Sequence, residues 1–289
     1  MSTIDVLRSR FPRATRNVSR YGGAAGRELG RVGQMAWFAV EGGIGFAWVL
    51  RHYRKEVLRL IAEIGMGTGA MAVVGGTVAI VAFVTLSGSS LVAIQGFASL
   101  GYIGFDVFTG FFAALINVRI AAPVVTGVAL AATVGAGATA ELGAMRISEE
   151  IDALEVMGIK SIAYLVSTRA MAGLIVIIPL YAGAMLMSFI SPQLVTTVLY
   201  GQPSGTYDHY FRSFLRPEDV LWSFVEAIII AGLVMLTHCY YGYTASGGPV
   251  GVGEAVGRSM RFSLVSVQVI ALFAALALYG VNPNFNLTM

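Results

Sequence analysis

Five long apolar stretches, separated by short charged segments, dominate the pattern along the chain. About 20 apolar residues cross a bilayer, and each charge at mid-depth costs several kcal/mol. We therefore predict an all-α membrane protein with five transmembrane helices, over residues 64–86, 112–139, 163–190, 219–243 and 261–281. The uncharged run between Glu63 and Asp106 is twice as long as one span needs, and Ser87-Gly88-Ser89-Ser90 interrupts it. We expect residues 91–105 to re-enter the membrane or to lie along its outer face.

Lysine and arginine are concentrated near the N-terminus, where 11 of the 19 fall within the first 62 residues. The positive-inside rule therefore predicts a cytoplasmic N-terminus, and five spans then place the C-terminus outside the cell membrane. A signal peptide is not expected, because the first apolar stretch begins only near Met35.

Residues 1–62 are interpreted as a basic cytoplasmic arm with an interfacial elbow helix, and residues 63–289 as the five-span domain. Within the arm, Met35 to Leu50 is short for a span, contains Glu41 and has tryptophans near both ends. This pattern is typical of a helix lying in the inner interface. A nucleic-acid-binding tail and a sixth span are the alternatives, and both are less well supported.

Composition excludes several other functions. Hydrophobic residues make up 56% of the chain and charged residues 12%, which are too few charges to cover a soluble globule. Cys239 is the single cysteine, the three histidines are far apart, and neither lysine stands in a P-loop motif. We therefore expect a protein that is not an enzyme and binds no nucleotide, metal or other cofactor itself.

Small residues repeat along the second span. Gly127, Ala131 and Gly135 recur every four residues and line one helical face, which allows another helix to approach closely. The neighbour is either a helix of the same subunit or a second subunit.

The segment from Glu141 to Ile159 is the most charged internal stretch of the chain. We predict a short amphipathic helix that Ser148 caps and Gly158 ends. Ile147, Ile151 and Leu154 share its apolar face, with charged residues elsewhere. A mere connector needs only a few polar residues, so the segment favours a docking element.

Two motifs in the sequence resemble the MlaE/YrbE permease family. The first covers Arg119, Pro123, Val124, Thr126, Gly135, Ala140-Glu141-Leu142-Gly143, Met145, Glu149, Ile151-Asp152-Ala153-Leu154 and Met157-Gly158, and the second runs from Tyr241 to Gly253. Ile120 and Thr133 depart from the family pattern, which has a glutamate and an arginine there. These departures make the chain most similar to the B-type YrbE subunits of actinobacterial Mce systems.

The resemblance implies a permease of an ATP-driven Mce-type lipid transporter, which imports fatty acids, sterols or other envelope lipids. Its implied partners are a cytoplasmic ABC ATPase dimer that binds ATP and Mg, a paralogous second permease, and Mce-domain proteins on the outer side. The helix between spans 2 and 3 becomes the ATPase-coupling helix, whose expected residues are Glu141, Met145, Glu149, Ile151, Asp152, Leu154, Glu155 and Met157.

Arg119 and Glu226 are the two charges that we place within the outer parts of spans 2 and 4. Charges inside a span are functional candidates by default. Their similar depth permits an ion pair, and Arg119 is also a candidate for binding a lipid head group. An ion-coupled secondary transporter that uses both residues is the alternative function.

Overall fold

The computed structural model describes residue 30 and residues 33–66 and 76–280, and all regular structure within these ranges is helical. Five of its helices are long and apolar enough to cross a membrane, which confirms the predicted all-α membrane fold with five spans. The predicted arm before residue 30, residues 67–75 and the end of the last predicted span at 281 lie outside the described residues.

Ten helices follow one another along the described chain. Before the first span come α1 (residues 33–44), α2 (Phe46–His52) and α3 (Arg54–Met66). The spanning helices are α4 (Gly76–Gly101), α5 (Asp106–Ile147), α7 (Ile162–Leu199), α9 (Pro217–Tyr243) and α10 (Gly248–Tyr279). Two short helices lie between spans, α6 (Glu150–Val156) and α8 (Ser204–Phe214). We call the end of the bundle that carries α6 the basal end, and the end that carries α8 the distal end.

The first span differs from the prediction. Residues 64–66 belong to α3, and α4 continues through Ser87-Gly88-Ser89-Ser90 to Gly101, so residues 91–105 do not form a separate re-entrant segment. The serines do not break the helix because their hydroxyls find partners. Ser87 Oγ donates to Phe83 O at 3.0 Å, and Ser90 Oγ lies 2.6 Å from Ser191 Oγ on α7.

The last span also begins earlier than predicted. Helix α10 starts at Gly248, thirteen residues before the predicted residue 261, and follows Gly247 in the left-handed conformation with φ 92°. Arg258 and Glu254 precede the predicted start of the span, and they lie on consecutive turns of this helix and form an ion pair at 3.0 Å. Their pairing explains how the basal end of a spanning helix carries charge.

The elbow packs against the basal end of the bundle. Ser167 Oγ of α7 donates to Gly42 O at 2.8 Å, and the Phe38 ring lies 5.4 Å from the Tyr240 ring of α9. Trp37 and Ile44 are exposed.

Helices α1 and α2 are not among the candidate spans. Helix α3 crosses the proposed domain boundary at residues 62 and 63. The interfacial position of the elbow stays a prediction.

Four stretches within the spans have π-helical hydrogen bonding, in which each turn contains an extra residue. Two lie in α5, and α7 contains one at each end: Asn117–Ala121, Ala131–Gly135, Ile162–Ser167 and Val195–Leu199. Pro123 and Pro192 stand next to two of them. Because proline removes a backbone donor and clashes with the preceding turn, a locally wider turn is expected just before Pro123, whereas the stretch near Pro192 follows the proline and is not explained in this way.

Helices α5, α9 and α10 approach one another closely. A Cβ atom at Gly127 would lie 2.5 Å from Ile230 Cγ2, and a Cβ atom at Gly135 would lie 2.6 Å from His238 Cδ2. Beside this contact, Thr139 Oγ1 lies 2.8 Å from His238 Nδ1 and 3.3 Å from Ser259 Oγ, all fully buried. The predicted small-residue face of α5 therefore packs against helices of its own chain.

This contact predicts unequal effects at two glycines two residues apart. We expect Gly135→Ala to destabilise the protein by about 1–3 kcal/mol, because the new methyl group overpacks the His238 ring. Gly137→Ala, which meets nothing within 4 Å, is the matched control. It should leave stability unchanged or raise it by up to about 1 kcal/mol through helix propensity. Thermal unfolding in detergent measures both, and equal melting temperatures would contradict the packing.

Candidate functional site

The turn between α5 and α6 differs from the predicted cap. Ser148 Oγ donates to Ala144 O at 2.9 Å and therefore ends α5 instead of capping α6. Glu149 takes the capping position, with a left-handed backbone of φ 62° and no side-chain capping bond. Arg146 Nη1 lies 2.6 Å from Asp152 Oδ1 and closes the turn by an ion pair. The turn is thus set by this ion pair and a strained backbone residue.

The C-terminal end of α6 agrees with the prediction from the sequence. Gly158 has φ 77°, its N–H donates to Glu155 O at 2.9 Å, and the N–H of Ile159 donates to Leu154 O at 3.0 Å. These two bonds form a Schellman motif, in which a left-handed glycine ends the helix. The prediction that Gly158 ends α6 is confirmed.

The apolar face of α6 packs on the body of the protein. Ile151 is fully buried in a cluster with Leu142, Leu165 and Cys239, and Leu154 is partly buried beside it. The amphipathic pattern is therefore correct, but the prediction that Ile151 and Leu154 face an ATPase is wrong for Ile151. The most exposed apolar side chains of this region are Val156, at 89% exposure, and Met157, at 66%, whereas Ile147 ends α5, is not part of α6 and is 37% exposed.

Glu155 fixes the end of α6 to two spans. Its Oε1 accepts hydrogen bonds from Ser161 Oγ at 2.6 Å, just before α7, and from Tyr243 Oη at 3.0 Å, at the end of α9. These two bonds, that of Ser161 first, hold the pKa of Glu155 below its usual value. The carboxylate therefore stays ionised and holds α6 in place.

A second ion pair ties α5 to α7 at the basal end. Arg169 Nη2 lies 3.3 Å from Glu141 Oε2, and Arg169 Nη1 donates to Leu165 O at 3.2 Å. The Arg169 side chain is 8% exposed, and a cavity of about 260 Å³ beside the pair is also lined by Glu63 and Thr133. Sequence reasoning missed Arg169, although a charge near the start of a long apolar run was the available signal.

The intramembrane charges pair differently from the prediction. Arg119 Nη2 lies 2.8 Å from Asp219 Oδ2, and the two side chains are 13% and 8% exposed. Glu226 is 3% exposed, and its Oε1 has no hydrogen-bond partner among the described residues. Seven residues of helix place Glu226 about 10 Å further along α9 than Asp219. The prediction that Arg119 pairs with Glu226 is therefore wrong.

Asp219 could have been found in the sequence, because it lies seven residues before Glu226 and thus on nearly the same face of α9. It was overlooked because Glu218 and Asp219 follow Pro217, a pattern typical of an ordinary first turn of a helix. No group of three His, Cys, Asp or Glu residues within the described part of the chain is arranged to hold a metal ion.

The fold and these contacts define a polytopic all-α membrane protein with a short helix fixed at one end of the bundle. The family model described as Permease MlaE matches residues 66–277, and the chain belongs to this family. The sequence resemblance to MlaE permeases is thereby confirmed. The assignment to an Mce system and to a B-type subunit stays a prediction.

Individual relatives agree with this membership. The chain is 28% identical over 190 residues to a probable ABC transporter permease protein of Rickettsia bellii, covering 66% of this chain and 73% of that protein. A probable ABC transporter permease protein of Synechocystis is 30% identical over 154 residues, covering 53% and 58%. The chloroplastic protein TRIGALACTOSYLDIACYLGLYCEROL 1 of Arabidopsis thaliana is 29% identical over 147 residues, covering 51% and 42%.

The chain thus matches less than half of the Arabidopsis protein's length and between half and three quarters of the two bacterial ones. It is a multi-pass membrane protein of the MlaE permease family, and both bacterial relatives are named probable ABC transporter permease proteins. The prediction of a permease, as opposed to an enzyme, is confirmed by the relatives' names.

The assignment of ion-pair partners predicts a coupling between two residues. In a double-mutant cycle on Arg119→Gln and Asp219→Asn, we expect a coupling energy of roughly 1–3 kcal/mol, since each single variant removes one charge of a buried ion pair. The same cycle on Arg119→Gln and Glu226→Gln should give a value near zero. Thermal unfolding in detergent measures both. Arg216→Gln, whose partner Glu218 is exposed, is the control and should cost little.

Proposed function

We propose that this chain is the membrane-spanning subunit of an ATP-driven lipid transporter. Its membership of the MlaE permease family supports the transporter class. The name of the Arabidopsis relative contains that of a galactolipid, which supports a lipid as cargo. The geometry of α6 carries the proposal, because this helix is fixed to three spans and presents two apolar side chains outward.

Helix α6 is the element that we assign to ATPase docking. Val156 and Met157 are exposed apolar residues next to the turn that ends the helix, and isolated apolar side chains of this kind supply contact area in protein interfaces. Glu149 and Asp152 are exposed around them and would form a polar rim. Ile151 and Glu155 serve a different purpose in this proposal, because they hold α6 on the bundle.

The wider assembly follows from the proposal. An ATPase dimer would bind ATP and Mg and would dock at the basal end, which is then cytoplasmic. The N-terminal arm would be cytoplasmic and the C-terminus outside the cell membrane. We further propose a paralogous second permease as the other half, Mce-domain proteins on the outer side, and import of fatty acids, sterols or other envelope lipids. Recovery of a tagged chain with no second permease would argue against the heterodimer.

The charge pair at the distal half supports a packing role more strongly than a head-group role. The Arg119 guanidinium already contacts Asp219, so an anionic lipid would compete with an internal carboxylate for it. If Arg119 nevertheless binds the head group, Arg119→Ala lowers transport of an anionic lipid more than Glu226→Gln does. The ion-coupled secondary transporter is less well supported, since the relatives are named ABC transporter permeases.

The docking assignment predicts which substitutions uncouple the transporter. We expect Val156→Ser with Met157→Ser to lower ATPase association by roughly tenfold or more, because both apolar contacts are lost while α6 keeps its anchors. Co-purification in mild detergent, together with ATPase activity in lipid nanodiscs, measures the effect. Val198→Ser is the matched control, because Val198 is 74% exposed at the distal end of α7.

Ile151→Asp separates anchoring from docking. The substitution puts a charge into a fully buried site, so we expect a lower melting temperature for the isolated permease, even without an ATPase. Unchanged ATPase association in the Val156 and Met157 double variant would refute docking through these residues. The family membership and the lipid cargo would stand independently of that result.

A further inference from the structure

A groove of about 720 Å³ at the basal end separates the elbow from the loop that leads into α7. Helices α1 and α2 form one wall and the segment from Glu155 to the first turn of α7 forms the other. The side chains that matter for its chemistry are Glu41, Ile44, Trp48, Glu155, Lys160 and Ser161. Its volume falls within the range of pockets that hold small-molecule ligands.

The lining of the groove carries charges of both signs. Lys160 is the cationic side chain of its lining, and its Nζ lies 5.8 Å from the centre of the Trp48 ring. Two carboxylates, those of Glu41 and Glu155, stand in the same lining. The hydrogen bonds from Ser161 and Tyr243 engage Glu155 Oε1 and hold that carboxylate ionised. The lining thus combines one ammonium group with two carboxylates.

The apolar part of the lining faces outward. Ile44 is 75% exposed and Trp48 is 37% exposed, although both belong to helices that pack on the bundle. Tryptophan beside exposed aliphatic residues is typical of the boundary between head groups and acyl chains. Ile162 and Ala163, in the first turn of the spanning helix α7, complete the wall. The groove therefore lies beside the start of a spanning helix, and both charged and apolar side chains line it.

We propose that this groove binds a phospholipid of the adjacent leaflet that carries a primary amine in its head group, of the phosphatidylethanolamine class. The ammonium group of the lipid donates hydrogen bonds to Glu41 and Glu155, and its phosphate lies against Lys160. The acyl chains follow Ile44 and Trp48 into the bilayer. This site is separate from the Arg119–Asp219 pair, and it does not depend on the lipid that the transporter carries.

The charges of the lining discriminate between lipid classes. An anionic phosphatidylglycerol brings a phosphate but no cation, so it leaves the two carboxylates without compensation. Phosphatidylcholine brings a cation whose methyl groups replace every N–H donor, so it forms no charge-assisted hydrogen bond to a carboxylate. The ethanolamine head group satisfies both signs of charge. A lipid in this place would bridge the elbow and the loop that follows α6.

Trp48 provides a direct readout of occupancy. In a Trp37→Phe, Trp222→Phe background, Trp48 is the remaining tryptophan of the chain. The protein is reconstituted in phosphatidylcholine vesicles that contain a small fraction of a lipid with brominated acyl chains. We expect brominated phosphatidylethanolamine to quench Trp48 roughly three- to tenfold more effectively than brominated phosphatidylcholine or phosphatidylglycerol, the gain of one or two charge-assisted hydrogen bonds.

Variants of the lining complete the test. Glu41→Gln and Lys160→Gln should each reduce the preference for the ethanolamine lipid towards unity, whereas Lys55→Gln, a nearby lysine outside the groove lining, should preserve it. Equal quenching by all three lipids would identify annular lipid only and overturn the proposal. Stronger quenching by phosphatidylglycerol, or a preference that survives Glu41→Gln, would overturn the recognition of the amine. ATPase association is not part of this measurement, so failure here leaves the proposed function untouched.

Discussion

The close contact between α5 and its neighbours α9 and α10 is the constraint on which the rest of the structure depends. Gly127 and Gly135 leave no room for a Cβ atom, so the side chains of Ile230 and His238 pack directly against the backbone of α5. In a membrane, association of helices relies on such packing and on interhelical hydrogen bonds, because lipid tails are as apolar as the side chains. The bond between Thr139 and His238 belongs to the same contact.

Helix α5 carries this constraint to both ends of the molecule. Towards the distal end it positions Arg119 beside Asp219, and at the basal end it positions Glu141 beside Arg169. Its last turn leads directly into α6, which Ile151 and Glu155 fasten to the body. A displacement of α6 would therefore act on α5, α7 and α9 together, since Ile151 and Glu155 contact residues of all three helices.

The sequence was sufficient to predict the features that depend on local pattern. Charge-free length identified five spans, and Gly158 marked the end of α6, because both signals lie within one element. The predicted span boundaries were wrong where polar residues form hydrogen bonds within the fold. Ser90, for example, is hydrogen-bonded to Ser191 of another helix. The hydrophobic periodicity predicted the apolar face of α6 but not the surface against which that face packs. An apolar side chain can pack equally well against the body of the protein and against an ATPase.

Ion-pair partners required the register between helices, which no single segment contains. The expected depth in the membrane suggested Glu226 as the ion-pair partner of Arg119. The packing of α5 on α9 instead places Asp219 beside Arg119. Helix α8 was missed for a similar reason. It packs on the start of α5, where a Cβ atom at Gly110 would lie 2.5 Å from Tyr207 O, so its position depends on a residue almost a hundred positions earlier.

The π-helical stretches of α5 have a geometric consequence for this register. Arg119, Gly127 and Gly135 all contact α9, and they stand eight residues apart. In a uniform α-helix, residues with that spacing differ in direction by about 80°, so the third would point roughly 160° away from the first. One extra residue in the stretch Ala131–Gly135 removes about 100° from the second step, which leaves a deviation of only about 20°, and the stretch Asn117–Ala121 around Arg119 acts in the same direction on the first step. The two wide turns thus keep one face of this 42-residue helix directed towards α9.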